Sequence, residues 1–547
     1  MTHRVRRFVA ASVAVAACLA LSQASGAQAA AAQSPADAFR TADRCSNCHS
    51  KLKTAKGEDV SISLQWSASI MANSARDPYW QGSVRREALD HPESSAAIQN
   101  ECARCHMPLQ ALADQAQGRQ TEVFSRLPLG TGHEAAMADG VSCTVCHQIE
   151  ATGLGTPENY SGNFTVAAPA THPRPLFGPY APDSENIDKA HVLASGYSVE
   201  QAAQIRNAAL CGSCHTLYTT TLGPGGKALG RLAEQMPYLE WLHSDYRDKQ
   251  SCQQCHMPAV SEPVAVASLL GKPREDVRLH TFVGANFLME AMLSAHRDDL
   301  SVAAQAPDLA AAESQVASFL QSQSARIALG PMQLAGGELS FTVRVENLTG
   351  HKLPTAYPSR RAWLHVVVAT ADGHTVFESG KLNADGSIAG NANDADPTQF
   401  SPHYARITQP DQVEIFEPIL GDSQGHVTTG LISATQYLKD NRILPTGFDK
   451  QTASPDIAVR GKAAEDPGFT AGSSTTHYAV PTGAAVGPFR VSVELLYQPV
   501  GYRWAHNLAT YQAAEPQRFV HYFEQAAAKS GIVLAHADSA VGATPTQ

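Results

Sequence analysis

Apolar and polar residues alternate along Leu339-Ser-Phe-Thr-Val-Arg-Val-Glu346. A period of two predicts a strand with one buried face. Trp363-Leu-His-Val-Val-Val368, Thr375-Val-Phe-Glu378, Gln412-Val-Glu-Ile-Phe416 and Phe489-Arg-Val-Ser-Val-Glu-Leu-Leu-Tyr497 read as further strands. Ala371-Asp372-Gly373 and Ala384-Asp385-Gly386 supply turns between them. Short strands with polar turns and no helices between them predict an antiparallel β-sandwich-like domain over residues 326–512. Helical spacing frames it. Val316, Phe319 and Leu320 mark a helical connector over 301–325. Phe519, Tyr522 and Phe523 share one face of a predicted closing helix, Gln517–Lys529. The polar stretch past residue 537 reads as a flexible tail, ending a C-terminal segment 513–547.

Residues 30–300 carry no such order. They are rich in Gly, Pro and short polar stretches, and the clearest helix is Asp77–Leu89, with Arg85, Arg86 and Glu87 on its polar side. Such a segment needs something other than apolar side chains to fill its middle. The fold class is therefore α+β multidomain. A mostly α or irregular domain comes first, then the sandwich-like domain and a C-terminal helix.

What fills the first domain is marked by one repeated pentapeptide. Cys45-Ser-Asn-Cys48-His49, Cys102-Ala-Arg-Cys105-His106, Cys143-Thr-Val-Cys146-His147, Cys211-Gly-Ser-Cys214-His215 and Cys252-Gln-Gln-Cys255-His256 all read Cys-x-x-Cys-His. This is the c-type haem attachment pattern. Two thiols at this spacing each form a thioether with one vinyl edge of a single haem, and the next histidine reaches the iron as proximal ligand. A zinc site or a redox dithiol also uses paired cysteines. Five matches, each ending in histidine, consume ten of the eleven cysteines and favour five covalently bound haem c groups. Residues 30–300 thus read as a pentahaem cytochrome c domain.

Composition adds bounds. Hydrophobic content of 43% excludes a polytopic membrane protein, and a net charge of −10 argues against nucleic acid as a partner. An acidic surface suits basic redox partner proteins, whose identity charge does not give. The N-terminus reads as an export signal over 1–29: Arg4, Arg6 and Arg7, an apolar run Phe8–Leu21, then Ala27-Gln28-Ala29 as a cleavage site. Val15-Ala-Ala-Cys18 offers a lesser reading, a lipoprotein anchor at Cys18. Haem is attached to bacterial proteins outside the cytoplasmic membrane, so export and the motifs agree on a periplasmic protein.

Each low-spin haem needs a second axial ligand, normally His or Met. Seven further histidines lie in the domain: His91, His133, His172, His191, His243, His280 and His296. Spacing favours His133, His191 and His280, then His91. Met71, in Trp66-Ser-Ala-Ser-Ile-Met71, is a thioether candidate. A faint duplication is visible: haem motif, Trp-x-x-Ser, then haem motif followed by Met-Pro, once around Trp66 and Met107 and again around Trp241 and Met257.

The motifs, Trp66-x-x-Ser69, Glu240-Trp241-x-x-Ser244 and the Cys-His-Met-Pro endings resemble multihaem cytochromes of the cytochrome c-554 and hydroxylamine oxidoreductase superfamily over residues 40–290. In that family a Trp-x-x-Ser-x-His element supplies a distal histidine; here Met71 and Tyr246 stand at that place. Asn347-Leu-Thr-Gly-His351-Lys-Leu-Pro-Thr355 also looks like an element that opens a β-rich domain in some bacterial multihaem cytochromes, with His351 packing against or ligating a haem. The resemblance implies electron transfer through haem. In some members it implies redox catalysis on a small nitrogen or sulfur compound at one open haem. A further reading makes the β-rich domain the dock for a membrane-associated partner.

Overall fold

The computed structural model describes residues 39–129, 135–166 and 173–541. The export segment with Cys18, and also His133 and His172, lie outside the described residues. The alternation found in the sequence becomes the core of two facing sheets. The main strands are β1 (Ala325–Leu329), β2 (Glu338–Asn347), β3 (Arg361–Thr370), β4 (Thr375–Ser379), β5 (Ser473–Pro481), β6 (Phe489–Gln498) and β7 (Ile532–Val541). One sheet runs β4-β3-β6-β7 and the other includes β5-β2-β1, every one of these pairings antiparallel. Leu339, Phe341, Val343 and Val345 of β2 face Leu364, Val366 and Val368 of β3 and Val491, Val493 and Leu495 of β6, in one buried cluster. Phe341 stacks on Tyr478, its register partner on β5, with ring centres 5.1 Å apart.

Several elements differ from the sequence expectation; of the strand read over Gln412–Phe416 only Ile415–Phe416 forms, paired with β3. β5 (Ser-Ser-Thr-Thr-His-Tyr-Ala-Val-Pro) carries hydroxyl residues on its inner face and escapes a hydrophobic pattern, yet Ser474, Thr476, Tyr478 and Val480 are all buried. Past the closing helix the described residues form a strand where the sequence predicts a tail beyond residue 537. Ile532–Val541 pairs with β6 over its whole length, because the open edge of β6 offers backbone hydrogen bonds that polar side chains do not oppose.

Helices cover the sandwich and carry the core across residue 300. They are α1 (Pro78–Asp90), α2 (Phe287–Ala295), α3 (Ala306–Gln323) and α4 (Ala514–Ala526). Leu288, Met292 and Leu293 of α2 and Leu309, Val316 and Leu320 of α3 belong to the same buried cluster as the strands. α1 starts where Asp77 accepts hydrogen bonds from the Tyr79 and Trp80 amides, with Pro78 in the first turn. It crosses α4 at Gly82, where a Cβ would meet the Pro516 Cα at 3.3 Å, so only glycine lets the helices close up. Arg85 clamps Glu515 there with two hydrogen bonds of 2.8 Å. No described helix is long and apolar enough to cross a membrane.

Candidate functional site

Each motif occupies about one turn of helix. Amides of His49, His147 and His215 donate to the carbonyls of Cys45, Cys143 and Cys211 at 3.0, 3.1 and 2.9 Å. Residues three apart share a helix face, so one turn points both thiols of a motif the same way and sets the histidine beside them. None of the ten motif cysteines is joined to another in a disulfide. The five motifs converge on a single cavity of about 1470 Å³, lined by all five motif histidines and by the motif cysteines except Cys48. Ordinary small-molecule sites hold roughly 300–1,000 Å³. Thiols of different motifs lie near enough across it to shift one another's pKa: Cys45 with Cys143, Cys105 with Cys214 and Cys211 with Cys252. The fourth motif thereby adjoins both the second and the fifth.

The histidine rings are oriented from behind. Nδ1 of His49, His106, His147 and His256 lies 2.6, 3.0, 2.6 and 2.5 Å from the carbonyls of Val266, Ser74, Phe177 and Val283. A proton on Nδ1 donates to each carbonyl and leaves the Nε2 lone pair for a metal. Trp80 stacks on His106 at 4.5 Å and holds that ring's plane. Burial pushes the His106, His215, His280 and His351 imidazoles down to about 4, so they stay neutral, the form that binds iron. The His215 ring makes no hydrogen bond to any described residue, and Arg360 on the same wall bears on it.

Two pairs of rings face each other across the cavity. His147 and His280 lie 6.5 Å apart between ring centres with planes 13° from parallel. His256 and His351 lie 6.3 Å apart at 11°. Two nitrogen–metal bonds of about 2.0–2.1 Å, plus the depth of two imidazole rings, separate ring centres by roughly 6.5 Å. The donor set and its spacing therefore fit iron held between two imidazoles.

The other candidates fall in different places. His191 is on the cavity wall, with Nδ1 2.9 Å from the Tyr197 carbonyl. Burial lowers the His49 pKa, and the neighbouring His191 ring lowers it further. Met71 lines the cavity, and its carbonyl accepts from the Val141 amide at 2.9 Å. Tyr246 also lines it, but its hydroxyl donates to the Leu348 carbonyl at 2.7 Å. His91 is not brought to the cavity wall: it is buried and its Nε2 meets the Ser433 hydroxyl at 3.1 Å. His296 stacks on Tyr522 at 3.5 Å and His243 meets the Asp449 carbonyl at 3.0 Å, both off the wall.

Sequence reading assigned none of three carboxylates to the site, and it set Glu87 on the polar side of its helix, where the structure buries it against the cavity. Glu87, Glu101 and Glu234 line the cavity around the Cys102 thiol, whose pKa burial raises and these acids raise further. Glu87 accepts from the Leu431 and Ile432 amides at 2.8 and 3.3 Å, and burial pushes Glu234 up to about 7. They come from separate elements, so no local pattern announces them.

No family model matches the chain, and no curated protein matches it. Among solved structures the chain is similar to a penta-haem cytochrome c552 from Thermochromatium tepidum, with 16% identity and a TM-score of 0.49, covering 92% of this chain and 99% of that one.

Proposed function

We propose that the chain is an exported pentahaem c-type cytochrome, a carrier that moves electrons through five covalently bound haem c groups. The observation that carries this reading is the set of five Cys-x-x-Cys-His turns on one cavity wall, with two imidazole pairs spaced for iron. Haem, when bound, supplies reversible one-electron chemistry. The residues supply the rest. Ten thiols anchor the groups, five histidines ligate from one side, and backbone carbonyls fix four of those rings. The motifs share one cavity wall, which keeps the centres close enough to relay charge. The acidic surface suits basic redox partner proteins and not nucleic acid, and the β-rich part offers a face to a membrane-associated partner. The export signal favours the periplasm, with an anchor at Cys18 as the lesser variant.

A second reading is an oxidoreductase acting on a small nitrogen or sulfur compound at one open haem. It is favoured by the fourth motif, where the His215 ring has no carbonyl behind it and no described imidazole faces it as His280 and His351 face theirs. Electron paramagnetic resonance of the oxidised holoprotein separates the two. Low-spin signals alone support the carrier, and a high-spin signal that responds to a small ligand supports the enzyme. Intact mass equal to the bare polypeptide would sink both.

A further inference from the structure

We infer that His351, in the loop between β2 and β3, is the sixth ligand of the iron held by Cys252-Gln-Gln-Cys255-His256. The inference rests on the multihaem reading above. Its basis is geometric. The His351 and His256 rings are near parallel at 11° with centres 6.3 Å apart, and both line the cavity. Rings in face contact come much closer, as His296 and Tyr522 do at 3.5 Å. The gap is that of one metal ion between two Nε2 atoms. Each ring is also turned the right way. Nδ1 of His256 faces the Val283 carbonyl at 2.5 Å, and Nδ1 of His351 faces the Lys352 carbonyl at 3.0 Å. Both Nε2 atoms are left free for the space between.

The loop is built to hold that ring still. The Asn347 side chain accepts from the Thr349 amide at 2.8 Å and donates to the His351 carbonyl at 2.8 Å. At Gly350 a Cβ would meet Trp241 and Tyr246 at 3.2 Å, so the loop lies flat on the segment that precedes the fifth motif. The Tyr246 hydroxyl grips the Leu348 carbonyl at 2.7 Å, and Ser244 donates to the Gly350 carbonyl at 3.1 Å. The Lys352 amide donates to Glu240 at 3.1 Å, and the Thr355 hydroxyl bonds the same carboxylate. Tyr246 and Glu240 are thus positioning residues. The strand-rich half of the chain completes a metal centre whose other ligand lies in the motif-bearing half.

The test uses full-length holoprotein carrying His351→Ala and, separately, His351→Met. Intact mass of each variant should still show the wild-type haem count, since the thioethers are untouched. In His351→Ala one low-spin signal should be lost and one high-spin signal gained, and added imidazole should restore the low-spin form. In His351→Met one midpoint potential should rise and the others should hold, because thioether ligation favours the reduced iron. If the Ala variant does not accumulate, the Met variant decides alone. Unchanged spin states or five unchanged potentials overturn the assignment while leaving the carrier reading intact. A wild type without haem overturns the carrier reading itself.

Discussion

Asp440 is a fully buried carboxylate between two buried cations, Lys352 at 2.6 Å and Arg442 at 2.7 Å, and Arg442 also reaches Glu240 at 3.1 Å. Burial pushes Asp440 up, but Arg442 and Lys352 outweigh it and hold the carboxyl at about 2. Removing one member strands the others. Asp440→Ala should cost about 3–5 kcal/mol, measured as a lower denaturant midpoint at neutral pH; a midpoint within error of wild type would count against the network. The sign with pH follows from the depression. A lowered carboxylate contributes fully above its unfolded value of about 3.9, and the contribution is lost as pH falls through about 2. The wild-type advantage over Asp440→Ala should therefore shrink only in that acid window. Met71 poses a different residue-level question. It sits on the cavity wall, five residues past Trp66, with its thioether the one candidate sulfur ligand outside the motifs that the sequence offered. If its sulfur ligates iron, Met71→His should lower one midpoint potential and remove a weak sulfur-to-iron band in the oxidised spectrum. Five unchanged potentials in a redox titration would make Met71 a packing residue only. The motif residues were legible in sequence because thioether chemistry demands fixed local spacing. Of the imidazoles that face motif histidines, His280 was among the sequence candidates and His351 came only from a resemblance; which motif ring each faces was not legible, since facing across a cavity leaves no trace in sequence distance. His91 shows the limit: nothing local says that Ser433, far along the chain, meets its ring.

Strands show the same division at the level of elements. β2, β3 and β6 were readable because every second residue is apolar and buried. β5 was hidden because Ser and Thr take inward positions, and β7 because a strand that only completes an edge needs few apolar residues. β7 still matters. Leu534 is buried in the main cluster, and Ile532 to Val541 satisfies the β6 backbone along its length. Ending the chain after Ser530 should uncover that edge, lower the melting temperature and promote aggregation. Ending it after Val541 should do neither. Equal melting curves for the two truncations would show that β7 is dispensable. The connector helix α3 was also legible, but its role was not: its apolar face joins the sandwich core and Phe319 packs beside His256, 5.8 Å between ring centres. An element read as a spacer is therefore part of the wall that steadies the fifth motif.

For the molecule as a whole, the cavity decides what the fold requires. A space of about 1470 Å³ lined largely by apolar side chains, imidazoles and thiols does not hold itself open. Unfilled cavity volume costs roughly 24 cal/mol per Å³ in a packed core, which over this volume exceeds the roughly 5–15 kcal/mol that holds a typical domain together. Folding of the motif-bearing half should therefore be coupled to filling the cavity. Intact mass of the mature wild type should exceed the polypeptide by five haem masses, one for each motif. Losses should not be equivalent. The strongest thiol–thiol interactions join the first motif to one neighbour, through Cys45 and Cys143, and the fourth to two, through Cys214 with Cys105 and Cys211 with Cys252. A Cys45→Ser/Cys48→Ser variant should lose one haem mass and keep most of its resistance to protease. A Cys211→Ser/Cys214→Ser variant should lose one haem mass and become the more readily cleaved, because its gap opens at the junction of three motifs. Equal cleavage rates for two four-haem variants would show that the fourth motif is not the structural junction of the set.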